Sequence, residues 1–256
     1  MEFITSASTD VGIKKDVNQD NLFLTKGPTK VGNICFAIIC DGMGGYSDGE
    51  VASEAVMNAF KNWVENTLPS LLYGTLDDNI IREQWENIIY DQNNNIRNYG
   101  NTHNITLGTT VTAVLLTEER WFCVNVGDTR AYEISKGITQ LTIDHSLIGQ
   151  NLKKGIITYE EAKQSKNRNV LTQCVGIAKT AEPDFFFGET KTGVLYMLCS
   201  DGFRNEVTDD EIYEAYKKAA ITDSVSLKAC ESYLIELNKN RGETDNISVV
   251  SIITSE

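Results

Sequence analysis

Four short apolar runs in the chain each lie directly against an aspartate. Phe36-Ala37-Ile38-Ile39-Cys40 leads into Asp41-Gly42-Met43-Gly44-Gly45, Cys123-Val124-Asn125-Val126 into Gly127-Asp128, and Leu195-Tyr196-Met197-Leu198-Cys199 into Ser200-Asp201-Gly202. Near the far end, Asp245-Asn246 precedes Ile247-Ser248-Val249-Val250-Ser251-Ile252. Such runs read as buried strands, and a carboxylate at a strand tip is costly to desolvate unless a positive charge neutralises it. If the tips converge, they make a cage of hard oxygen ligands suited to Mg²⁺ or Mn²⁺. The chemistry of such a cage is metal-assisted attack on phosphate. Any one Asp-Gly is a common hairpin turn. The repetition of strand-to-aspartate exits along the chain carries the argument, together with Gly42, Gly44, Gly45 and Gly49, more glycines than one turn requires.

The elements that must position these residues follow from periodicity. Strands are predicted over Phe3 to Ala7, Leu22 to Thr25 and Ile34 to Cys40, with a polar turn at Lys26-Gly27-Pro28. Val51, Ala52, Ala55, Val56, Ala59, Phe60 and Trp63 recur at helical spacing. A second helical pattern carries Ile81, Trp85, Ile88, Ile89 and Ile96 and fades in the Asn-rich stretch near Asn93 to Asn104. Thr109 to Leu116, Trp121 to Val126, Ala131 to Ile134 and Gln140 to Thr142 read as an antiparallel series joined by short turns. Residues 146–168 are polar and lysine-rich and read as a flap or irregular insertion, with one helical piece near Tyr159 to Ser165. Strands return at Asp184 to Phe187 and Val194 to Cys199. Thr208 with Glu211 is a capping box opening a helix, Leu227, Cys230, Leu234 and Leu237 mark another, and a last strand runs from Ile247 to Ile253. Trp63 and Trp85 read as core. One α+β domain over residues 1–256 is expected, with helices segregated from antiparallel strands.

Composition narrows the function. With 36 acidic and 23 basic side chains the net charge is −13, which argues against nucleic-acid binding and against attachment to anionic lipid. An acidic protein that handles phosphate must reverse its own field locally, and bound divalent cations do that. The six cysteines (35, 40, 123, 174, 199 and 230) show no C-x-x-C spacing and read as buried free thiols. The longest apolar run, Ile34 to Cys40, is too short to span a bilayer, and no secretory signal is visible at Met1-Glu2-Phe3, so a cytoplasmic protein is expected. The glycine-rich loop lacks the Lys-Ser/Thr ending of a nucleotide P-loop.

Thr9-Asp10-Val11-Gly12-Ile13-Lys14-Lys15-Asp16-Val17-Asn18-Gln19-Asp20 resembles the opening motif of the type-2C metal-dependent protein serine/threonine phosphatases. So do Asp41-Gly42-Met43-Gly44-Gly45, Gly108-Thr109-Thr110, Asn125-Val126-Gly127-Asp128-Thr129-Arg130, Asp144-His145-Ser146, Ser200-Asp201-Gly202 and Asp245-Asn246, in the family's order and across essentially the whole chain. The likeness is to the compact bacterial members. It implies a four-layer α-β-β-α sandwich, two antiparallel sheets flanked by helices, with two Mn²⁺ or Mg²⁺ ions at one end.

By that resemblance Asp41 bridges the two ions, the Gly42 carbonyl ligates one, and Asp201 and Asp245 complete the other. Asp20 acts through water or by supporting the direct ligands. Asp128, with Asp201, matches a third and weaker ion site, and the flap lies beside it. The implied reaction is hydrolysis by an ion-activated water without a phosphoenzyme, and the chain shows no Cys-x₅-Arg loop to form one. Lys15 stands where most of the family has a phosphate-binding arginine; it keeps the charge but not the bidentate fork. Met43 replaces a histidine of animal members, and Gln19 an acid found elsewhere. His103 reads as solvent-facing, His145 as ordering the base of the flap, and Arg130 as an ion-pair partner. The implied partners are phosphorylated proteins and a cognate serine/threonine kinase, and a monomer is expected. Two other readings stay open: a catalytically weak phosphoprotein-binding module on the same fold, and a small-molecule phosphoesterase.

Overall fold

The computed structural model of the chain describes all residues except 45–47, 75, 154, 159, 160, 162–164, 166, 168 and 169, together with all but the side chain of residue 153. Two antiparallel sheets stack face to face. One orders its strands β1 (Glu2–Asp10), β11 (Ile247–Ser255), β10 (Leu195–Cys199), β7 (Arg130–Ile134) and β8 (Ile138–Gln140). The other runs β2 (Asp20–Thr29), β3 (Gly32–Gly44), β5 (Val111–Leu116), β6 (Arg120–Val126) and β9 (Asp184–Glu189), with short β4 (Leu107–Thr109) added to the end of β3.

Strand β3 shows why its sequence is apolar without a break. Cys35, Ala37 and Ile39 face the other sheet, against Leu198, Val250 and Ile252. Phe36, Ile38 and Cys40 face the helices α1 (Gly49–Asn66) and α3 (Asp78–His103). A strand buried on both faces has no polar side to alternate with. Phe36, Phe60, Trp63 and Trp85 pack there with ring centroids 5.7 to 6.4 Å apart, each such pair contributing about 0.5–1.5 kcal/mol beyond burial. On the opposite outer face, α5 (Asp209–Lys218) and α6 (Ser224–Asn240) bury Ile212, Tyr216, Leu227 and Leu234 against Met197, Cys199 and Val249. The four layers are those expected. Short α2 (Leu68–Leu71) follows α1, and α4 (Leu147–Lys153) opens the flap.

Thr208 and Glu211 form the predicted capping box at α5, and the six cysteines are buried and unpaired. Three expectations need correction. The first hairpin does not turn at Lys26-Gly27-Pro28: Gly27 and Pro28 pair with Ile34 and Asn33, and the chain reverses at Lys30-Val31. Strand β2 is an edge, where a proline's missing N–H is tolerated. Helix α3 does not fade at Asn93 but continues to His103, because the Asn93 side chain accepts from Gly176 N at 2.7 Å and donates to the Ala178 and Lys179 carbonyls. The strands after Thr109 are not one series either. After β6 the chain crosses to the other sheet at Gly127-Asp128-Thr129, with Gly127 at φ +110°. The helical piece expected near 159–165 lies largely outside the described residues, although Thr158 and Glu161 exchange the reciprocal bonds of a helix start. Among the described residues no helix is long and apolar enough to cross a membrane.

Candidate metal centre

The strand tips do converge at one end of the sandwich. Asp41 sits near the end of β3, and its peptide is clamped by the Gly108-Thr109-Thr110 motif. The Asp41 carbonyl accepts from Thr110 N at 2.9 Å and Thr109 Oγ1 at 3.0 Å, while Asp41 N donates to Thr110 Oγ1 at 3.0 Å. Asp20 is its cross-strand partner at the start of β2. Gly42 N donates to the Gln19 carbonyl at 3.1 Å. A Cβ on Gly42 would stand 2.2 Å from the Gly49 carbonyl oxygen and 2.6 Å from that of Gln19, so three backbone segments meet here with no room for a side chain. Gly45 of the same loop lies outside the described residues. Asp201 opens a one-turn 3₁₀ helix, Asp201–Phe203, directly after β10 and Ser200. Asp245 precedes β11 and pairs through Oδ1 with Lys15 Nζ at 2.9 Å.

Asn246 ties these pieces together, a role that its place beside Asp245 did not reveal. Its Oδ1 accepts from Gln19 N at 2.9 Å, and its Nδ2 donates to the Val11 and Val17 carbonyls at 2.9 and 3.2 Å. One side chain thereby holds the loop that carries Lys15 against the start of β11. Gly12 lets that loop approach. It has φ +80°, and a Cβ there would stand 2.2 Å from the Asp245 carbonyl oxygen.

The carboxylates burden one another. Burial pushes the Asp201 carboxyl up to about 7, with Asp128 adding to the rise and Arg204 opposing it. Burial likewise takes Asp20 up to about 6; the neighbouring Ser248 and Ser200 hydroxyls oppose this without making a hydrogen bond of normal geometry. Asp41 lies well above the usual carboxylate range, through burial and then the charges of Asp20, Asp201, Asp128 and Asp245. Burial alone would lower Lys15, but its bond to Asp245 and the charges of Asp245, Asp41 and Asp201 hold it above the ordinary lysine value.

Among the described residues no three acidic, histidine or cysteine side chains close on one point, although Asp20, Asp128, Asp201 and Asp245 lie near enough to Asp41 for their charges to act on it. Both Asp20 oxygens and Asp201 Oδ1 are buried without a hydrogen-bond partner among the described residues. A buried polar atom left unpaired costs about 1–3 kcal/mol, more when charged. Hard, buried oxygens of this kind are the donor type that divalent cations such as Mg²⁺ and Mn²⁺ take.

A pH dependence follows. A carboxyl whose pKa is raised by folding binds its proton more tightly in the folded state. Stability conferred by that proton is full below the unfolded value and is lost as pH rises through the folded one. Without added ions, Tm is expected to fall across the window from about 4 to about 7 set by Asp20 and Asp201. Mn²⁺, which needs the deprotonated forms, should raise Tm more at about pH 7.5 than at about pH 5. Equal Mn²⁺ shifts at both, read by scanning fluorimetry, would remove these carboxyls as ion ligands.

The remaining expected residues lie around this group. Asp128 lies at the crossing between sheets with its carboxylate 3.4 Å from Arg204 Nη2. Arg130 holds Asp144 through Nε at 2.9 Å and Nη2 at 2.7 Å, the ion pair expected of it. His145 accepts from Gly127 N at Nδ1 and meets Asp184 Oδ2 through Nε2, while its carbonyl accepts from Thr172 N, so it fastens the Asp128 turn to the base of the flap. His103 stacks on Tyr99 in solvent.

Residues 13–226 match the protein phosphatase 2C family. The chain is 34% identical over 250 residues to a putative protein phosphatase 2C-type of Streptococcus pyogenes, covering 96% of each. Its fold matches the crystal structure of the serine/threonine phosphatase Stp1 from Staphylococcus aureus with TM-score 0.86 at 28% identity, over 100% of this chain and 96% of that one. It also matches the catalytic domain of the serine threonine protein phosphatase PstP in complex with two manganese ions, with TM-score 0.81 at 26% identity over 99% of both. On the match over residues 13–226 and the 34% identity along nearly the whole chain, this protein belongs to the protein phosphatase 2C family.

Proposed function

We propose that this protein removes phosphate from phosphoserine and phosphothreonine of other proteins by a hydrolysis that requires two Mn²⁺ or Mg²⁺ ions. The observation that carries this is the gathering of Asp20, Asp41, Asp201 and Asp245, in which both Asp20 oxygens and Asp201 Oδ1 are buried with no partner among the described residues. Asp41 would hold both ions, the Gly42 carbonyl one of them, and Asp201 with Asp245 the other, with Asp20 behind. Bound ions of this kind supply an activated water and stabilise charge on the phosphoryl oxygens. Four carboxylates balance two divalent charges, so Lys15 is left as the surplus positive group facing an incoming phosphate. It meets phosphate as a point charge and not as a fork. Asn246 and Gly12 keep the Lys15 loop in place while that happens.

The two sheets and their helices act as one catalytic domain over residues 1–256. It works as a cytoplasmic monomer opposite a cognate serine/threonine kinase that makes its substrates. The acidic surface suits neither nucleic acid nor membrane. A weak binding module on this fold is disfavoured because every core aspartate is present.

The test is phosphate release from phosphoserine and phosphothreonine peptides with Mn²⁺ and with chelator. Chelation is expected to abolish turnover by at least about a hundredfold, reversibly. Turnover indifferent to chelator would sink the proposal, and turnover of aryl phosphate but no phosphopeptide would favour the small-molecule reading. In the same assay Lys15→Ala should raise KM about tenfold with kcat within a few-fold, and Lys15→Arg should lower KM or leave it level.

A further inference from the structure

We propose that Arg204 is a built-in cation at Asp128 that stands where a third ion would bind, so that this protein works with two. The proposal rests on the two-ion reading above. Arg204 follows the Asp201–Phe203 turn, and its backbone N–H donates to the Asp201 carbonyl at 3.0 Å. Its Nη2 donates to the Asp128 carbonyl at 2.9 Å and reaches Asp128 Oδ2 at 3.4 Å. The turn that begins at Asp201 thus anchors the arginine by its backbone, and its guanidinium occupies Asp128, one of the two residues that a third ion would share. Both side chains are nearly out of solvent, at 13% and 10% exposure, so water screens the pair weakly.

Asp144 does not require this arginine. Its oxygens take the bidentate fork of Arg130 and Gln140 Nε2 at 2.9 Å, and Arg204 Nη2 stands 3.8 Å away. Two guanidiniums therefore balance two carboxylates in one buried cluster. A divalent cation on Asp128 would face a fixed like charge there. A guanidinium does not give up its proton, so an ion could enter only by driving the side chain out.

The experiment is Mn²⁺ stoichiometry by calorimetry, paired with an anomalous map of crystals grown in Mn²⁺. Wild type is expected to bind about two ions, Arg204→Lys about two, and Arg204→Ala about three, the third on Asp128 and the weakest. Arg204→Ala that stays folded by circular dichroism and binds no third ion would overturn the proposal. If that variant does not fold, the wild-type map decides. Manganese on Asp128 overturns the proposal and leaves the two-ion reading intact, whereas ions only beside Asp41, Asp201 and Asp245 support it. Wild type that binds no ion overturns both.

Discussion

Asp41→Asn is expected to lower kcat by at least about a hundredfold at saturating Mn²⁺, with KM little changed. The substitution removes charge while sparing geometry, because the Asp41 peptide is held from both sides by Thr109 and Thr110. It should also move stability in two opposite directions. Without ions, Asp41 is crowded by the charges of Asp20, Asp201, Asp128 and Asp245, so the neutral amide relieves repulsion and Tm rises. With Mn²⁺, the gain in Tm should shrink if Asp41 is the ligand proposed above. A merely structural aspartate would give neither the kcat loss nor the crossed Tm shifts. An Asp41→Asn variant with wild-type kcat would remove Asp41 from the chemistry.

Gly42→Ala should damage both fold and activity. The added methyl would meet the Gly49 and Gln19 carbonyl oxygens at 2.2 and 2.6 Å. Both are backbone atoms, so relief requires the start of α1 to withdraw from β3 or the 3.1 Å bond from Gly42 N to Gln19 O to break. Overpacking against backbone costs about 1–3 kcal/mol or more, a loss readable from urea unfolding. The same displacement moves the Gly42 carbonyl and the neighbouring Asp20, so kcat should drop well below the unfolding temperature. Unchanged stability would mean that β3, α1 and the Gln19 segment are not packed this closely.

Much of this site was legible because its residues break a local rule. One aspartate at the tip of an apolar run can be only a turn, and it was the recurrence of the pattern at Asp41, Asp128 and Asp201 that announced the site. The layers were equally readable, since a run such as Cys35 to Cys40 must be covered on both faces. What escaped were residues whose work is done at long range. Asn246 looked like a neighbour of Asp245, and nothing local says that its amide spans to Val11, Val17 and Gln19. Arg204 carried no motif; its meaning depends on the crossing at Gly127 that brings Asp128 beside it. The Asn-rich end of α3 read as a helix fading because asparagine is a poor helix former, and the tertiary bonds of Asn93 overrode that preference.

The first strand lies along the last, in register from Glu2 with Ser255 to Asp10 with Ile247. During synthesis, Asp20 and Asp41 therefore leave the ribosome long before Asp245 exists, by a delay on the order of tens of seconds at ordinary elongation rates. A nascent chain has no finished sheet for β1 to join and no complete set of acids to load. The sheet that positions Asp245 can close only after β11 has emerged.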